Sequence, residues 1–175
     1  MKIIKIILGI ISAFVFVFFL TGLLIKETNY SSQVFINESI DEVFYSFNNI
    51  ENRKYWIPEV NSVEVIKEKP GKIGSVYKVI VDNHGQKITM TEKVLAYIKN
   101  EKVTLFFDAE NILKRNDYLF KEKKGVTIIT LNSSCQSESY IMACLYPYFK
   151  ETLKEQDQAY LNNFKALIEK KEPKS

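Results

Sequence analysis

The run Lys87-Ile88-Thr89-Met90-Thr91-Glu92-Lys93-Val94-Leu95-Ala96-Tyr97-Ile98, followed after three residues by Lys102-Val103-Thr104-Leu105-Phe106-Phe107-Asp108-Ala109, decides the fold. Successive side chains of a strand point to opposite faces, so Ile88, Met90 and Val94 share one face of the first segment. Val103, Leu105 and Phe107 share one face of the second. Working outward, the same parity holds for Val63 and Val65 in a segment Val60 to Lys67, and for Tyr77, Val79 and Val81 in a segment Ser75 to Asp82. Two more segments, Ile112 to Lys121 and Val126 to Gln136, follow. The connections are short and rich in turn residues (Pro70-Gly71, Asn83-His84-Gly85, Glu122-Lys123-Lys124-Gly125), which predicts an antiparallel meander with one apolar face.

Such a face needs a cover, and the C-terminal end supplies it. From Met142 to about Lys171 the residues Phe149, Leu153, Tyr160, Phe164, Leu167 and Ile168 recur at helical spacing, with polar residues between them. Pro147 predicts a kink or a short helix ahead of the long one. Before the meander, Gln33 to Ile36 reads as a strand and Ser39-Ile40-Asp41-Glu42 as a capping box opening a helix. A second short helical piece, Ile50 to Tyr55, ends before Pro58. The expected class is α+β: a curved antiparallel sheet wrapped around a long C-terminal helix.

The N-terminus has a different character. Residues 6–25 carry no charge, and 20 helical residues span about 30 Å, the thickness of a hydrocarbon core. The run is too long for a cleaved signal and lacks a good small-x-small site, so residues 1–26 read as a transmembrane anchor, 27–32 as a linker and 33–172 as the domain. Lys2 and Lys5 precede the apolar run, which favours a cytoplasmic N-terminus and an extracytoplasmic domain. The whole chain has 24 Lys+Arg and 21 Asp+Glu, but residues 27–175 carry equal numbers of each. A neutral domain with interspersed Lys and Glu argues against a nucleic-acid partner, which would need a basic stripe. Cys135 and Cys144 are compatible with a disulfide in an exported domain or with two buried thiols. Two Cys and one His are too few for a zinc site. His84 sits at a hairpin tip, where a catalytic role is disfavoured, and no phosphate-cradling loop is visible. No metal or cofactor is expected.

Three stretches carry a resemblance that covers nearly all of residues 33–170: Val34-Phe35-Ile36-Asn37-Glu38-Ser39-Ile40-Asp41-Glu42-Val43-Phe44, then Tyr55-Trp56-Ile57-Pro58 with the later Pro70-Gly71-Lys72-Ile73-Gly74-Ser75, and Asn162 to Glu169. They resemble the opening strand and helix, the tyrosine–tryptophan–proline segment with its glycine turn, and the gripping helix of the START-like helix-grip superfamily, also called SRPBCC. Within it, the similarity is to the polyketide cyclase/dehydrase and lipid-transport group. The resemblance implies a cavity for an apolar ligand between sheet and helix, and no particular reaction. A transmembrane helix ahead of the domain departs from the many members that consist of the domain alone.

Polar residues on apolar strands are the candidates for chemistry. Glu92 lies on the Ile88/Met90/Val94 face, while Arg115 and Asp117 share a face with Leu113 and Leu119; facing inward, they would orient a ligand's polar end or transfer protons. The competing reading makes them an ion pair on the outer face. The apolar cavity wall is expected from Trp56, Tyr77, Met90 and Phe107, together with Tyr146, Phe149, Tyr160 and Phe164. The leading expectation is a membrane-tethered domain that binds or shuttles a hydrophobic small molecule or lipid. The alternatives are a cyclase- or dehydratase-like enzyme and a ligand-free domain that binds a protein partner.

Overall fold

The parity read from the central strands holds for Tyr77, Val79, Met90, Val94, Val103 and Leu105, but the register shifts after Val60, Val65 and Val94, and Val65, expected on the inner face, is 54% exposed on the edge strand. A computed structural model describes residues 2–83 and 85–170, so the expectation about His84 lies outside the described residues. The elements run α1 (Lys2–Leu24), β1 (Thr28–Ile36), α2 (Ile40–Asn48), a 3-10 turn (Ile50–Asn52), α3 (Arg53–Trp56), β2 (Val60–Lys67), β3 (Val76–Asn83), β4 (Gln86–Ile98), β5 (Lys102–Ala109), β6 (Ile112–Lys123), β7 (Val126–Gln136), α4 (Tyr140–Leu145), a second 3-10 turn (Tyr146–Phe149) and α5 (Lys150–Glu169). The seven strands form one antiparallel sheet in the order β1-β7-β6-β5-β4-β3-β2. Consecutive strands from β2 to β7 are hairpin neighbours, and β1 closes the far edge against β7.

Register brings the predicted apolar positions face to face: Val63 opposite Val79, Val79 opposite Met90, Val94 opposite Leu105 and Val103 opposite Tyr118. One boundary differs from expectation. Residues 28–32, read as linker, are the first half of β1, whose inward positions Thr28, Tyr30 and Ser32 are buried. Hydroxyl-bearing side chains at those positions hide the two-residue period from a hydrophobicity reading.

Helix α5 lies across the inner face of the sheet and buries Leu161, Phe164 and Ile168 there. It is clasped to the edge strand by Gln158, whose Oε1 accepts from the Gln33 backbone N–H at 3.1 Å and whose Nε2 donates to the Gln33 carbonyl at 2.9 Å. Asn163 Nδ2 donates to the Trp56 carbonyl at 3.3 Å and ties α5 to α3. As Pro147 requires, the C-terminal helical region is broken into α4, a 3-10 turn and α5. Ser39 caps α2, its Oγ accepting from the Glu42 N–H at 3.4 Å.

The middle of the grip is solid aromatic packing. Phe47 sits 4.6 Å from Tyr118, 5.3 Å from Phe120, 5.6 Å from Trp56 and 5.7 Å from Phe164, ring centre to ring centre. Burying each such ring contributes about 1.5–3 kcal/mol, and the edge-on pairings add to it. Outside this core, α1 has no buried residue.

Candidate functional site

The inward face of β6, left open by its mixed registers, is set by its pairing with β5: Val103 and Leu105 face Tyr118 and Asn116. The even positions Lys114, Asn116, Tyr118 and Phe120 therefore point into the grip. Polar groups among them need partners, because an unpaired polar group in the interior costs on the order of 1–3 kcal/mol. Asp157, on the apolar stripe of α5 and 2% exposed, supplies the main one. Lys114 Nζ donates to its two oxygens at 2.6 and 2.9 Å. Ser133 Oγ lies 2.8 Å from Asp157 Oδ2 and 3.0 Å from Asn116 Oδ1, so its one proton is shared between two acceptors. Asn116 Nδ2 then donates to the Tyr118 hydroxyl at 3.2 Å. Tyr30 closes the chain, its ring 5.8 Å from Lys114 Nζ and its hydroxyl 3.7 Å from Cys135 Sγ. Burial and the nearby Asp157 charge push the Tyr30 and Tyr118 phenols above their ordinary range.

A second buried ion pair lies at the α3 end. Glu92 on β4 is 0% exposed and accepts from the Arg53 guanidinium of α3. Burial pulls the Arg53 pKa down, but the Glu92 charge and hydrogen bond more than offset it and hold the guanidinium more firmly protonated than usual. Here satisfaction is incomplete. Apart from Asn100 Oδ1 in the turn between β4 and β5, the side-chain atoms buried without a partner among the described residues are Glu92 Oε1, Trp56 Nε1 and Glu59 Oε2. All three belong to α3, to the segment just after it, or to the strand residue that α3 grips. Tyr160 of α5 stands beside Glu59, and burial followed by that carboxylate raises its phenol pKa.

The expected site residues divide accordingly. Glu92, Trp56, Tyr77 and Phe164 are buried in the interior, and Met90, Phe107 and Tyr160 are half-buried around it. Arg115 and Asp117 are on the convex face, the outer of the two positions considered for them. Arg115 is 53% exposed, and it pairs with Asp117 at 3.0 Å; Asp117 also accepts from Thr104 Oγ1 at 2.6 Å. Both line a shallow open groove of about 430 Å³ with Glu27, Asn29 and Asn132. Phe149 is 51% exposed, because it ends the 3-10 turn and so falls out of phase with the α5 stripe. Tyr146 is buried, but in a separate small cluster with Tyr30 and Cys135. The expectation for the interior also lacked Arg53, Lys114, Asn116, Ser133 and Asp157. Asp157 did leave a trace in the sequence, as a carboxylate four residues from both Leu153 and Leu161 on an apolar stripe.

Both cysteines are free and buried, Cys135 beneath Tyr30 and Cys144 against α1. Among the described residues no group of three or more His, Cys, Asp or Glu is placed to hold a metal.

No protein-family model and no curated protein matches the chain. Solved structures do. The Zhui aromatase/cyclase from a Streptomyces species aligns with a TM-score of 0.70 at 14% identity, covering 82% of this chain and 94% of that one. A START superfamily protein from Mycobacterium smegmatis aligns at 0.69 and 12% identity, covering 81% and 97%. A conserved protein from Geobacillus kaustophilus aligns at 0.68 and 14%, covering 81% and 95%. Identities this low establish the fold alone: after its apolar N-terminal helix, the chain has the START-like helix-grip fold.

Proposed function

We propose that the domain binds a hydrophobic small molecule or lipid at the α3 end of the grip, beside the packed aromatic middle, with the ligand's polar end received by Glu92, Arg53 and Trp56. The observation that carries this reading is the set of buried atoms without protein partners at that end, Glu92 Oε1, Trp56 Nε1 and Glu59 Oε2. Two are acceptors and one is a donor, so a ligand group that both donates and accepts, as a hydroxyl does, meets their unfilled valences. Trp56, Tyr77, Phe107 and Phe164 offer apolar surface beside them, the combination that small-molecule sites use. Similarity to a START superfamily protein and to an aromatase/cyclase supports the class of ligand. Binding is favoured over proton transfer, because two of the three candidate proton carriers of the enzymatic alternative, Arg115 and Asp117, lie on the convex face and only Glu92 is inside.

We also read α1 as an anchor that keeps the domain beside a membrane, with the N-terminus cytoplasmic. Its length, its lack of charge from Ile6 to Ile25, and Lys2 and Lys5 at its start support that reading. An anchored binder works where an apolar ligand is concentrated.

The test is native mass spectrometry of the full-length protein extracted from its membrane in mild detergent. One apolar small molecule per chain is expected, absent from the double variant Arg53→Met with Glu92→Leu, which removes the pair without stranding a charge, with wild-type circular dichroism in both. An empty wild-type protein would sink the reading.

A further inference from the structure

The last turns of α1 are packed against the elbow formed by α4 and the 3-10 turn that follows it. The Tyr140 ring stacks on Phe19 at 6.1 Å and an interplanar angle of 8°, and its hydroxyl donates to the Phe19 carbonyl. The Tyr148 ring stacks on Phe18 at 6.2 Å, and its hydroxyl lies 2.9 Å from Thr21 Oγ1. Gly22 is what permits this approach, since a Cβ there would stand 2.4 Å from Cys144 Sγ. The elbow thus meets α1 at residues 18–22, four to eight residues before the first charge at Lys26.

This contact has a consequence for a helix that crosses a bilayer. At 1.5 Å per residue, the contact lies roughly 6–12 Å along α1 from Lys26, on the hydrocarbon side. If the elbow stayed in water, only the residues up to Val17 would remain to cross, and even counted from Ile3 they reach only about 22 Å of the 30 Å required. The elbow's own chemistry agrees. The ten residues from Tyr140 to Phe149 carry no charge, with Glu138 and Lys150 standing just outside them. Its outward side presents Tyr140, Ile141 (58% exposed), Tyr148 (58%) and Phe149. Tyrosines with paired hydroxyls and apolar bodies suit the layer between headgroups and acyl chains.

We propose that the α4 elbow is a membrane-immersed foot: Tyr140, Ile141, Tyr148 and Phe149 sit among the lipids of the leaflet nearest the domain and, with α1, fix the domain's orientation on the bilayer. This rests on the reading of α1 as a span, and its occupant is phospholipid rather than a protein.

The experiment uses the full chain in phosphatidylcholine vesicles whose acyl chains carry bromine, a short-range quencher of tryptophan. Trp56, the one native tryptophan, is buried in the core and serves as the baseline. Phe149→Trp and Ile141→Trp report on the foot, Phe14→Trp on α1, and Tyr45→Trp on an exposed face of α2. The foot tryptophans are expected to lose about half or more of their added emission to lipids brominated near the headgroup end, and Phe14→Trp to lipids brominated deeper. Tyr45→Trp is expected to respond only to aqueous iodide. If Phe14→Trp is quenched while both foot variants answer to iodide and not to lipid, the foot is in water and the proposal fails. If the foot is shielded from both quenchers, a second copy covers it, and the proposal fails in that way too. An unquenched Phe14→Trp overturns the span and the foot together, which separates that failure from the others.

Discussion

The grip holds two buried ion pairs with opposite degrees of completion. Lys114 and Asp157 sit in a chain of groups that use one another: Ser133, Asn116 and Tyr118 extend the pair, and among the described residues none of the polar atoms of these five is left buried without a partner. Arg53 and Glu92 leave one carboxylate oxygen unmatched, with a tryptophan N–H and a second carboxylate oxygen unmatched nearby. A closed network gives the interior rigidity and has no use for a ligand. An open one stores an unfavourable free energy that a bound group can recover, so the same chemical motif marks scaffold at one end and a candidate site at the other.

The sharpest way to break this contrast is to remove one partner and then both. Asp157→Leu strands the Lys114 ammonium in the interior and is expected to cost about 3–5 kcal/mol in urea unfolding. The pair Lys114→Met with Asp157→Leu should recover part of that and remain about 1–3 kcal/mol below wild type, because Ser133 still loses its charged acceptor. The pair Arg53→Met with Glu92→Leu should fall within about 1 kcal/mol of wild type, since it removes an atom that was already unsatisfied. A larger loss at the Arg53 end than at the Lys114 end would invert the comparison.

Alkaline titration sharpens it from the tyrosine side. Tyr30, Tyr118 and Tyr160 are pushed above the ordinary phenol range, chiefly by burial, and Tyr146 up to about 12. The folded state therefore holds these protons more tightly than the unfolded one. That stability is complete below about pH 10, the unfolded value, and is lost as pH rises above it. Absorbance at 295 nm should show these four phenols ionising together with loss of the near-ultraviolet circular dichroism. Ionisation that precedes unfolding would mean the interior is open to water.

The smallest effect belongs to the convex face. Burial alone would raise the Asp117 pKa, but Thr104, Arg115 and Lys102 outweigh it and bring the carboxyl below its usual value. Its contribution is present above about pH 4 and is lost as pH falls through the depressed value. Asp117→Asn should cost about 1 kcal/mol at pH 7 and nothing at about pH 2, leaving ligand retention unchanged. A loss of bound ligand in this variant would return Asp117 to the site.

How much of this was visible in the chain itself varies by element. The alternation of Ile88, Met90 and Val94 against Val103, Leu105 and Phe107 was readable because strand parity needs no information beyond the strand. The same parity put Glu92 among inward residues. In β6 both registers mix apolar and charged residues, Leu113, Arg115, Asp117 and Leu119 against Lys114, Asn116, Tyr118 and Phe120. The alkyl stem of Lys114 and the ring of Tyr118 make the inward set no more apolar than the outward one, so hydrophobicity left the inward charges of this strand undecided.

By itself, then, the sequence determined the meander, the broken C-terminal helix and the apolar N-terminal helix, because each follows from local periodicity, proline geometry or an uninterrupted length without charge. Only the tertiary structure decided which charges are inside, because pairing with β5 sets the parity of β6 and the crossing of α5 brings Asp157 to Lys114. It also decided that the α4 elbow rests on the last turns of α1, a contact between segments more than a hundred residues apart that depends on Gly22 having no side chain.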